Sequence, residues 1–354
     1  MIQILTYNEI NKQQWQLLTE QSATATWFQT PEAYEFYASL PAEMQPFAVG
    51  VEAYPQPLPK RRGVENADSP PNNCEGKLVG LCVGYITREK NPLKQYLTCR
   101  AIIIGGPLLA EDISDEALGA LLKAIRRQGD KAIYVETRNF NDYSRWKSVF
   151  EANGFAYQPH LNFHVDTTSV ELLKSRLGKN RKRDIKTSLR DGATIVEQPT
   201  IEQVRTYYEL LKQLYTTKIK TPLFSLQFFE QLYQHPNGRF ILVEKEGEII
   251  GGTVCVELPG KCLYEWFVCG RDGEWKSIFP SSLATYSGIR YAAEHGCSRF
   301  DMMGAGKPDE AYGVRDFKAR FGGEQVEHGR FLYVRKPLLY WIGKLGVKLL
   351  KMKR

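Results

Sequence analysis

The residues of this chain whose types suit chemistry concentrate between Gly304 and Lys318. Gly304 and Gly306 follow a strand-like run, where glycines either let a ligand approach the backbone closely or form a tight turn. Tyr312 and Arg315 lie in the next loop and either line an acceptor groove or pack as ordinary loop residues. A lysine held in place can stabilise the tetrahedral oxyanion of acyl transfer from an ester to an amine, although most lysines near helix ends are solvated. Lys318 could supply such a charge.

The densest positive charge lies between residues 171 and 191. Eight cations oppose three acids there: Lys174, Arg176, Lys179, Arg181, Lys182, Arg183, Lys186 and Arg190 against Glu171, Asp184 and Asp191. A charge run is usually a solvated helix face, but this one also suits a polyphosphate or RNA backbone, with contacts that weaken in salt. We therefore predict a polyanion site at Arg181, Lys182, Arg183 and Lys186.

The sequence gives no sign of a metal centre. His160 and His164 are four residues apart, but in a strand-like segment this spacing does not form the metal site that it forms on a helix. The cysteines include no C-x-x-C pair, and we interpret them as reduced core thiols. No metal is predicted. The general base for an attacking amine is left open among Glu265, Asp301 and Asp316.

The two halves of the chain resemble each other. Gly129 and Gly296 each end a helix and precede a strand, and Phe150 and Phe317 follow at the same spacing. Each half is predicted to contain helices, an antiparallel meander, a crossing helix, a strand, a short helix and a last strand. In the first half the crossing helix carries its apolar residues at helical spacing: Leu118, Leu121, Leu122 and Ile125. This order predicts a mixed α/β fold.

The predicted domains are residues 1–165 and 166–334. Residues 53–76, rich in proline, interrupt the first domain between two strands and are predicted to form a mobile hairpin loop. Residues 335–354 follow the second domain.

The run Phe300-Asp301 with Gly304-Ala305-Gly306, then Tyr312-Gly313 and Phe317-Lys318-x-x-Phe321-Gly322-Gly323, resembles the C-terminal motif of the FemABX family. Two segments of the first half, Phe28-Gln29-Thr30-Pro31 and Gly106-Pro107, resemble the same family more weakly. The resemblance implies two tandem GNAT-like N-acyltransferase domains. It also implies transfer of an amino acid from aminoacyl-tRNA to an amine of a peptidoglycan-type or related envelope precursor, with no cofactor beyond that donor.

The resemblance also implies roles for single residues. Lys318 corresponds to the lysine at the family's reaction centre, with Phe317 beside it. The first half has Glu151 at the equivalent place, which favours one active site in the second half. Relatives often hold substrate phosphate with an arginine near Lys218 and Lys220. A lysine lacks the arginine fork, so a solvated helix end is the alternative there. The implied partners are charged tRNA and a phosphate-bearing precursor.

Two other functions stay open. An acyl-CoA-dependent N-acyltransferase would use the same fold, but it usually grips the pyrophosphate with a Q/R-x-x-G-x-G/A loop at a helix N-terminus, and residues 272–283 lack that motif. A non-catalytic RNA- or membrane-binding protein would need only the basic segments.

The C-terminal segment is amphipathic and cationic. Residues 335–354 contain seven basic residues and no acid, and the rest of the chain is formally neutral. A helix over residues 338–354 would either pack on the first half, which we favour, or lie on an anionic membrane. Because no secretory signal or long apolar run is evident, we expect a cytoplasmic protein, with a peripheral place at the inner face of the membrane as the alternative.

Overall fold

A computed structural model describes residues 1–54 and 76–352 of the chain. Apart from its ends, the predicted insertion at residues 53–76 lies outside the described residues. The chain forms two compact units: unit 1 comprises Met1–Gln158 with Arg330–Arg354, and unit 2 comprises Pro159–Gly329.

The first segment of unit 1 extends to residue 158. Its elements are β1 (Ile2–Thr6), α1 (Lys12–Gln21), α2 (Pro31–Ala38), β2 (Met44–Ala53), β3 (Lys77–Thr87), α3 (Pro92–Thr98), β4 (Ala101–Gly105), β5 (Leu108–Leu109), α4 (Asp115–Gln128), β6 (Tyr134–Asn139), α5 (Lys147–Ala152) and β7 (Ala156–Gln158).

The elements of unit 2 follow. They are β8 (Leu161–Asp166), α6 (Val170–Arg176), α7 (Lys179–Arg190), β9 (Ala193–Val196), α8 (Ile201–Leu214), α9 (Leu226–Gln234), β10 (Gly238–Lys245), β11 (Glu248–Leu258), β12 (Cys262–Gly270), α10 (Pro280–Glu294), β13 (Arg299–Asp301), α11 (Gly313–Ala319) and β14 (Glu324–Glu327). The chain then returns to unit 1 through β15 (Arg330–Val334) and α12 (Pro337–Met352).

Each unit is built on one mixed sheet, and the two sheets have the same strand order. The order is β1-β2-β3-β4-β6-β15-β7 in unit 1, with β5 paired to β3, and β9-β10-β11-β12-β13-β8-β14 in unit 2. Corresponding strands of the two repeats occupy corresponding places. The predicted α/β fold and the internal repeat are therefore confirmed.

The last strand of each repeat is exchanged. β8 ends the first repeat but lies between β13 and β14 in unit 2, whereas β15 ends the second repeat and lies between β6 and β7 in unit 1. The compact units consequently differ from the division at residues 165 and 334 that we predicted. Hydrophobic periodicity locates a strand along the chain but carries no record of the distant strand with which it pairs.

The crossing helices cover the sheets as predicted. In α4, Leu118, Leu121, Leu122 and Ile125 are buried, and the Ser114 hydroxyl accepts the Ala117 N–H at 3.2 Å as an N-cap. In unit 2, α10 buries Leu283, Ala284, Ile289 and Ala292.

The cysteines of the described residues are buried free thiols: Cys82, Cys99, Cys255, Cys262, Cys269 and Cys297. Burial raises the pKa of Cys262 to about 12, so this thiol is inert near neutral pH. The interpretation as reduced core thiols is confirmed for these six. No helix within the described residues is long and apolar enough to cross a membrane.

Gln29 bridges β3 and β4 inside unit 1. Its side chain is fully buried, and its amide nitrogen donates to the carbonyl oxygens of Val83 and Ile104 at 3.0 and 2.9 Å. Its amide oxygen accepts the Val83 N–H at 2.8 Å. The Phe28-Gln29-Thr30-Pro31 resemblance therefore has a structural explanation, because Gln29 satisfies backbone groups that the two strands do not pair between themselves.

We expect Gln29→Leu to lower the free energy of unfolding by roughly 3 kcal/mol or more, since it leaves three buried backbone groups without partners. Gln16→Leu is the matched control, because Gln16 is exposed and its amide bonds only to Glu20. Thermal unfolding of both variants checks the prediction, and equal melting temperatures would contradict it.

Candidate active site

Unit 2 opens at the carboxyl ends of two parallel strands. β12 and β13 pair over three rows, from Cys262–Arg299 to Tyr264–Asp301, and β12 then continues to Gly270 paired with β11 but no longer with β13. The equivalent strands of unit 1, β4 and β6, pair over five rows. Ligands of open α/β sheets bind beyond the carboxyl ends of strands. The opening between β12 and β13 is therefore the place to look for an active site.

The loop that follows β13 has a left-handed backbone at three positions. Met303, Gly304 and Gly306 have φ values of 51°, 109° and 77°. A side chain at Gly306 would place its Cβ 2.8 Å from Cδ1 of Tyr312, whose ring packs there. The two glycines thus adopt a left-handed backbone that other residues rarely take, and a role in approach of a ligand stays a prediction.

Lys318 extends from α11 to this loop. The residue is only 7% exposed, and its ammonium donates to the carbonyl oxygens of Met302 and Gly304, the latter at 2.8 Å. The solvated surface lysine, our alternative for this residue, does not describe it. Two of the three ammonium N–H groups have carbonyl partners, which leaves one for a further acceptor.

Arg315, one turn earlier on α11, holds the rest of the loop. Its guanidinium donates to the carbonyl oxygens of Ala305 at 3.0 Å, Pro308 at 3.3 Å and Lys307. Lys318 and Arg315 together fix five carbonyl groups between residues 302 and 308. The short helix α11 therefore sets the shape of the loop.

Two buried carboxyl groups balance the Lys318 ammonium. Burial lowers the pKa of Lys318, and the charges of Glu265 and Asp301 oppose this shift. Burial raises the pKa of Glu265, against the influence of Lys318 and of the Thr285 and Thr253 hydroxyls. Glu265 is the first residue of β12 beyond the rows paired with β13, so its carboxyl group lies where the strands separate.

Asp301 anchors a polar network. Burial would raise its pKa, but the hydrogen bond and charge of His164 and the charge of Arg299 outweigh burial and lower it. One Asp301 oxygen accepts from Asn162 Nδ2 at 2.7 Å and from the Met303 N–H at 2.8 Å, and the other lies 3.1 Å from His164 Nε2. This carboxylate therefore positions the loop.

Asn162 is a site residue that the sequence analysis missed. Its amide oxygen accepts the Gly304 N–H at 2.7 Å, so Asn162 joins Asp301 to the loop. His164 was considered only as a metal ligand. Both residues belong to the exchanged strand β8. Their alternate positions in a strand place both side chains on one face, which is a signal that the sequence does carry.

A family model described as an acetyltransferase (GNAT) domain matches residues 178–318, which span the opening, Glu265 and Lys318. Residues 178–318 are therefore similar to a GNAT-type acetyltransferase domain. The protein is therefore an acyltransferase, as predicted, and acyl transfer of this kind needs no cofactor beyond the acyl donor. No curated protein sequence matches the chain.

Solved structures with the same fold support the tandem arrangement. FemX shares 14% identity with a TM-score of 0.67, over 96% of this chain and 99% of FemX. A tandem GNAT protein from the clavulanic acid biosynthesis pathway shares 10% identity with a TM-score of 0.52, over 94% of this chain and 98% of that one. The C-terminal domain of a putative lysylphosphatidylglycerol synthetase from Agrobacterium fabrum shares 14% identity with a TM-score of 0.51, over 75% and 85%. The FemABX-like tandem GNAT fold is confirmed.

The region that matches the family model begins with the basic helix α7. One residue of the polyanion site that we predicted on this helix is not at the surface. Arg181 is 4% exposed, with its guanidinium against the rings of Phe317 and Phe321 at 4.6 and 4.5 Å from the ring centroids. It also donates to the Ser282 hydroxyl and, at 3.4 Å, to the Phe317 carbonyl oxygen. Arg181 is thus a core residue that holds Phe317 and cannot belong to a surface polyanion site.

The other predicted cations lie at the surface. Lys182, Arg183 and Lys186 are exposed on α7. Lys218 and Lys220 are exposed between α8 and α9, where Lys218 belongs to a π-helical turn over Tyr215–Ile219 and Lys220 ends it with φ 55°. The geometry fits the solvated helix end, and a phosphate-binding role for these two lysines stays a prediction.

N–H groups at the N-terminus of α10 already donate to acceptors within unit 2. Pro280 has no N–H, the Ser281 N–H donates to the Asp272 carboxylate at 3.2 Å, and the Phe279 N–H donates to the Ser188 hydroxyl at 2.9 Å. A helix N-terminus binds phosphate through free N–H groups and its positive dipole. A carboxylate in that place repels a pyrophosphate.

Proposed function

We propose that this acyltransferase moves an aminoacyl group from a charged tRNA to a primary amine of a phosphate-bearing cell-envelope precursor of the peptidoglycan type. The observation that carries the choice of donor is the Asp272 carboxylate at the N-terminus of α10, because it opposes the pyrophosphate of an acyl-CoA. The FemX-like fold over nearly the whole chain favours the same donor and acceptor.

In the proposed reaction, the acceptor nitrogen attacks the ester carbonyl of the aminoacyl-tRNA in the opening between β12 and β13. The third N–H of Lys318 donates to the oxyanion, whose charge the fixed ammonium stabilises. Glu265 accepts the proton of the attacking amine, since burial raises its pKa. Asp301 already accepts hydrogen bonds from Asn162 and the Met303 N–H, and Asp316 is exposed. The C–N bond forms, the ester C–O bond breaks, and the leaving ribose oxygen takes the proton that Glu265 accepted, which regenerates the carboxylate.

Turnover with matched donors tests the proposal. The protein is incubated with a UDP-linked muropeptide and either a mixture of charged tRNAs or acetyl-CoA, and mass spectrometry follows the acceptor. We expect a mass increase equal to one amino acid residue with charged tRNA and none with acetyl-CoA, and a mass increase with charged tRNA that is about 100- to 1000-fold slower for Lys318→Met. Acetylation of the muropeptide, with no use of charged tRNA, would replace the proposal by the acyl-CoA alternative.

The exposed cations of α7 give a further prediction. Replacing Lys182, Arg183 and Lys186 by glutamine should weaken binding of charged tRNA and lower the slope of log K against log salt by about 2 to 3, because each lost phosphate contact removes slightly less than one released counterion. Lys212→Gln is the control, since Lys212 is exposed but already paired with Glu209 at 3.0 Å. Filter binding between 50 and 300 mM salt measures both slopes, and equal slopes would contradict a tRNA site on α7.

A further inference from the structure

Helix α12 attaches to unit 1 by one face and leaves another open. The N–H groups of Arg335 and Lys336 donate to the Ile133 carbonyl oxygen at 2.9 and 3.0 Å, and the ring of Tyr340 packs edge-on against Tyr134 at 5.6 Å. A stripe at helical spacing is 58% to 75% exposed: Leu338, Trp341, Ile342 and Leu345. Over the described residues, the apolar stripe therefore does not pack on the first half as we had favoured.

Helix α3 adds a second open apolar face to the same unit. Leu93, Tyr96 and Leu97 lie at helical spacing and are 47% to 68% exposed. Lys336, the residue just before α12, brings the start of that helix next to α3, because its ammonium lies 4.8 Å from the centroid of the Tyr96 ring. Scattered exposed apolar residues need no explanation, but seven on two adjoining helices mark a binding surface. We call these seven residues of α3 and α12 the docking face.

The positive charge around the docking face indicates which kind of partner binds it. The Lys344 ammonium lies 4.9 and 5.3 Å from the ring centroids of Tyr340 and Trp341, so a cation accompanies the aromatic part of the stripe. Residues 335–354 carry seven basic residues and no acid. Two copies of this segment would repel each other, whereas an anionic lipid surface attracts it. Exposed tryptophan and leucine next to lysine are typical of helices that lie in a membrane interface.

We propose that α3 and α12 dock unit 1 on an anionic lipid bilayer, with the docking face in the headgroup region and Lys344 against the lipid phosphates. α12 has 16 residues, which corresponds to about 24 Å of helix, so it lies on the bilayer and does not cross it. This proposal does not depend on the donor or acceptor of the transfer reaction.

Vesicle co-sedimentation of the full chain tests the proposal. We expect at least tenfold stronger binding to vesicles of phosphatidylcholine with 30% phosphatidylglycerol than to phosphatidylcholine alone, and weaker binding at 0.5 M than at 0.1 M salt. Leu338→Glu with Ile342→Glu, and separately Leu93→Glu with Leu97→Glu, should each reduce binding about tenfold or more, because both pairs place charge in the docking face. Leu17→Glu, an exposed position on α1, should leave binding unchanged.

Sedimentation velocity of the same proteins tests whether a second copy of the chain binds the docking face instead. We expect a monomer with or without the two substitutions in α12. A wild-type dimer that the α12 substitutions dissociate would assign the docking face to a second copy of the chain and overturn the proposal. Equal binding of all variants to anionic vesicles would overturn it as well, since the contact would then lie elsewhere. Circular dichroism verifies that the exposed substitutions leave the fold intact.

Discussion

Lys318→Met should reduce kcat about 100- to 1000-fold, with little change in the KM for the donor. Methionine keeps the length of the side chain but removes the N–H groups that hold Met302 and Gly304 and the one left for an oxyanion. Removal of a single oxyanion donor in a preorganised site typically has an effect of this size. Glu265 loses the opposing charge of Lys318 as well, so its pKa should rise further and less of it should be ionised as a base. Single-turnover kinetics with charged donor measures the chemical step directly.

Comparison with Arg315→Met shows whether Lys318 acts in catalysis or only positions the loop. Arg315 holds three carbonyl groups of the same loop, so its loss should disturb the loop without removing the charge at the reaction centre. We expect a loss of about tenfold or less for Arg315→Met, which corresponds to misplacement of substrate alone. Equal losses in the two variants would show that Lys318 acts only through the loop, and a Lys318→Met variant with near wild-type turnover would remove it from the mechanism.

The predictable part of the fold is the part that local pattern encodes. The helical spacing of Leu118, Leu121, Leu122 and Ile125 places α4 correctly, and the recurrence of Gly129 at Gly296 reveals the duplication. The exchange of β8 and β15 is absent from such patterns, because either strand has the alternation needed to pair in either sheet. The periodic signal therefore gives the elements and their order but not the two compact units.

The candidate site also has one part that a local sequence pattern predicts and one part that it does not. The glycines and Lys318 lie within 15 residues of each other, so a local motif locates them. Asn162 reaches the loop from a strand 142 residues earlier in the chain, and no local pattern indicates that contact. Arg181 shows the opposite error: it is one basic residue in a run, but the rings of Phe317 and Phe321 bury it. Charge density along a sequence does not show which side of a helix faces the core.

The exchanged strand β15 is tied to unit 1 by a buried charge cluster. Arg330 on β15 lies directly opposite Arg138 on β6, an arrangement that is unfavourable for like charges. Glu136 lies between them: one carboxylate oxygen contacts Arg138 Nε at 2.8 Å and the other contacts Arg330 Nη1 at 3.1 Å. Burial alone would raise the pKa of Glu136, but Arg138 and Arg330 outweigh burial and lower it to about 2. The carboxylate is therefore the group that makes this strand pairing stable.

Glu136→Gln should lower the free energy of unfolding of unit 1 by about 3 kcal/mol near pH 7, because the shift of the carboxyl pKa from 4.5 to about 2 corresponds to roughly that energy. Since the folded-state pKa lies below the unfolded one, the carboxylate's contribution is complete above about pH 5 and is lost as the pH falls toward 2. The difference between wild type and Glu136→Gln should therefore shrink across this window. Urea unfolding at several pH values, monitored by hydrogen-exchange mass spectrometry of β6 peptides, measures this difference in the free energy of unfolding. Glu209→Gln is the control, because Glu209 belongs to an exposed ion pair. A difference that stays constant from pH 7 to pH 2.5 would mean that Glu136 stabilises the strands through packing and not through its charge.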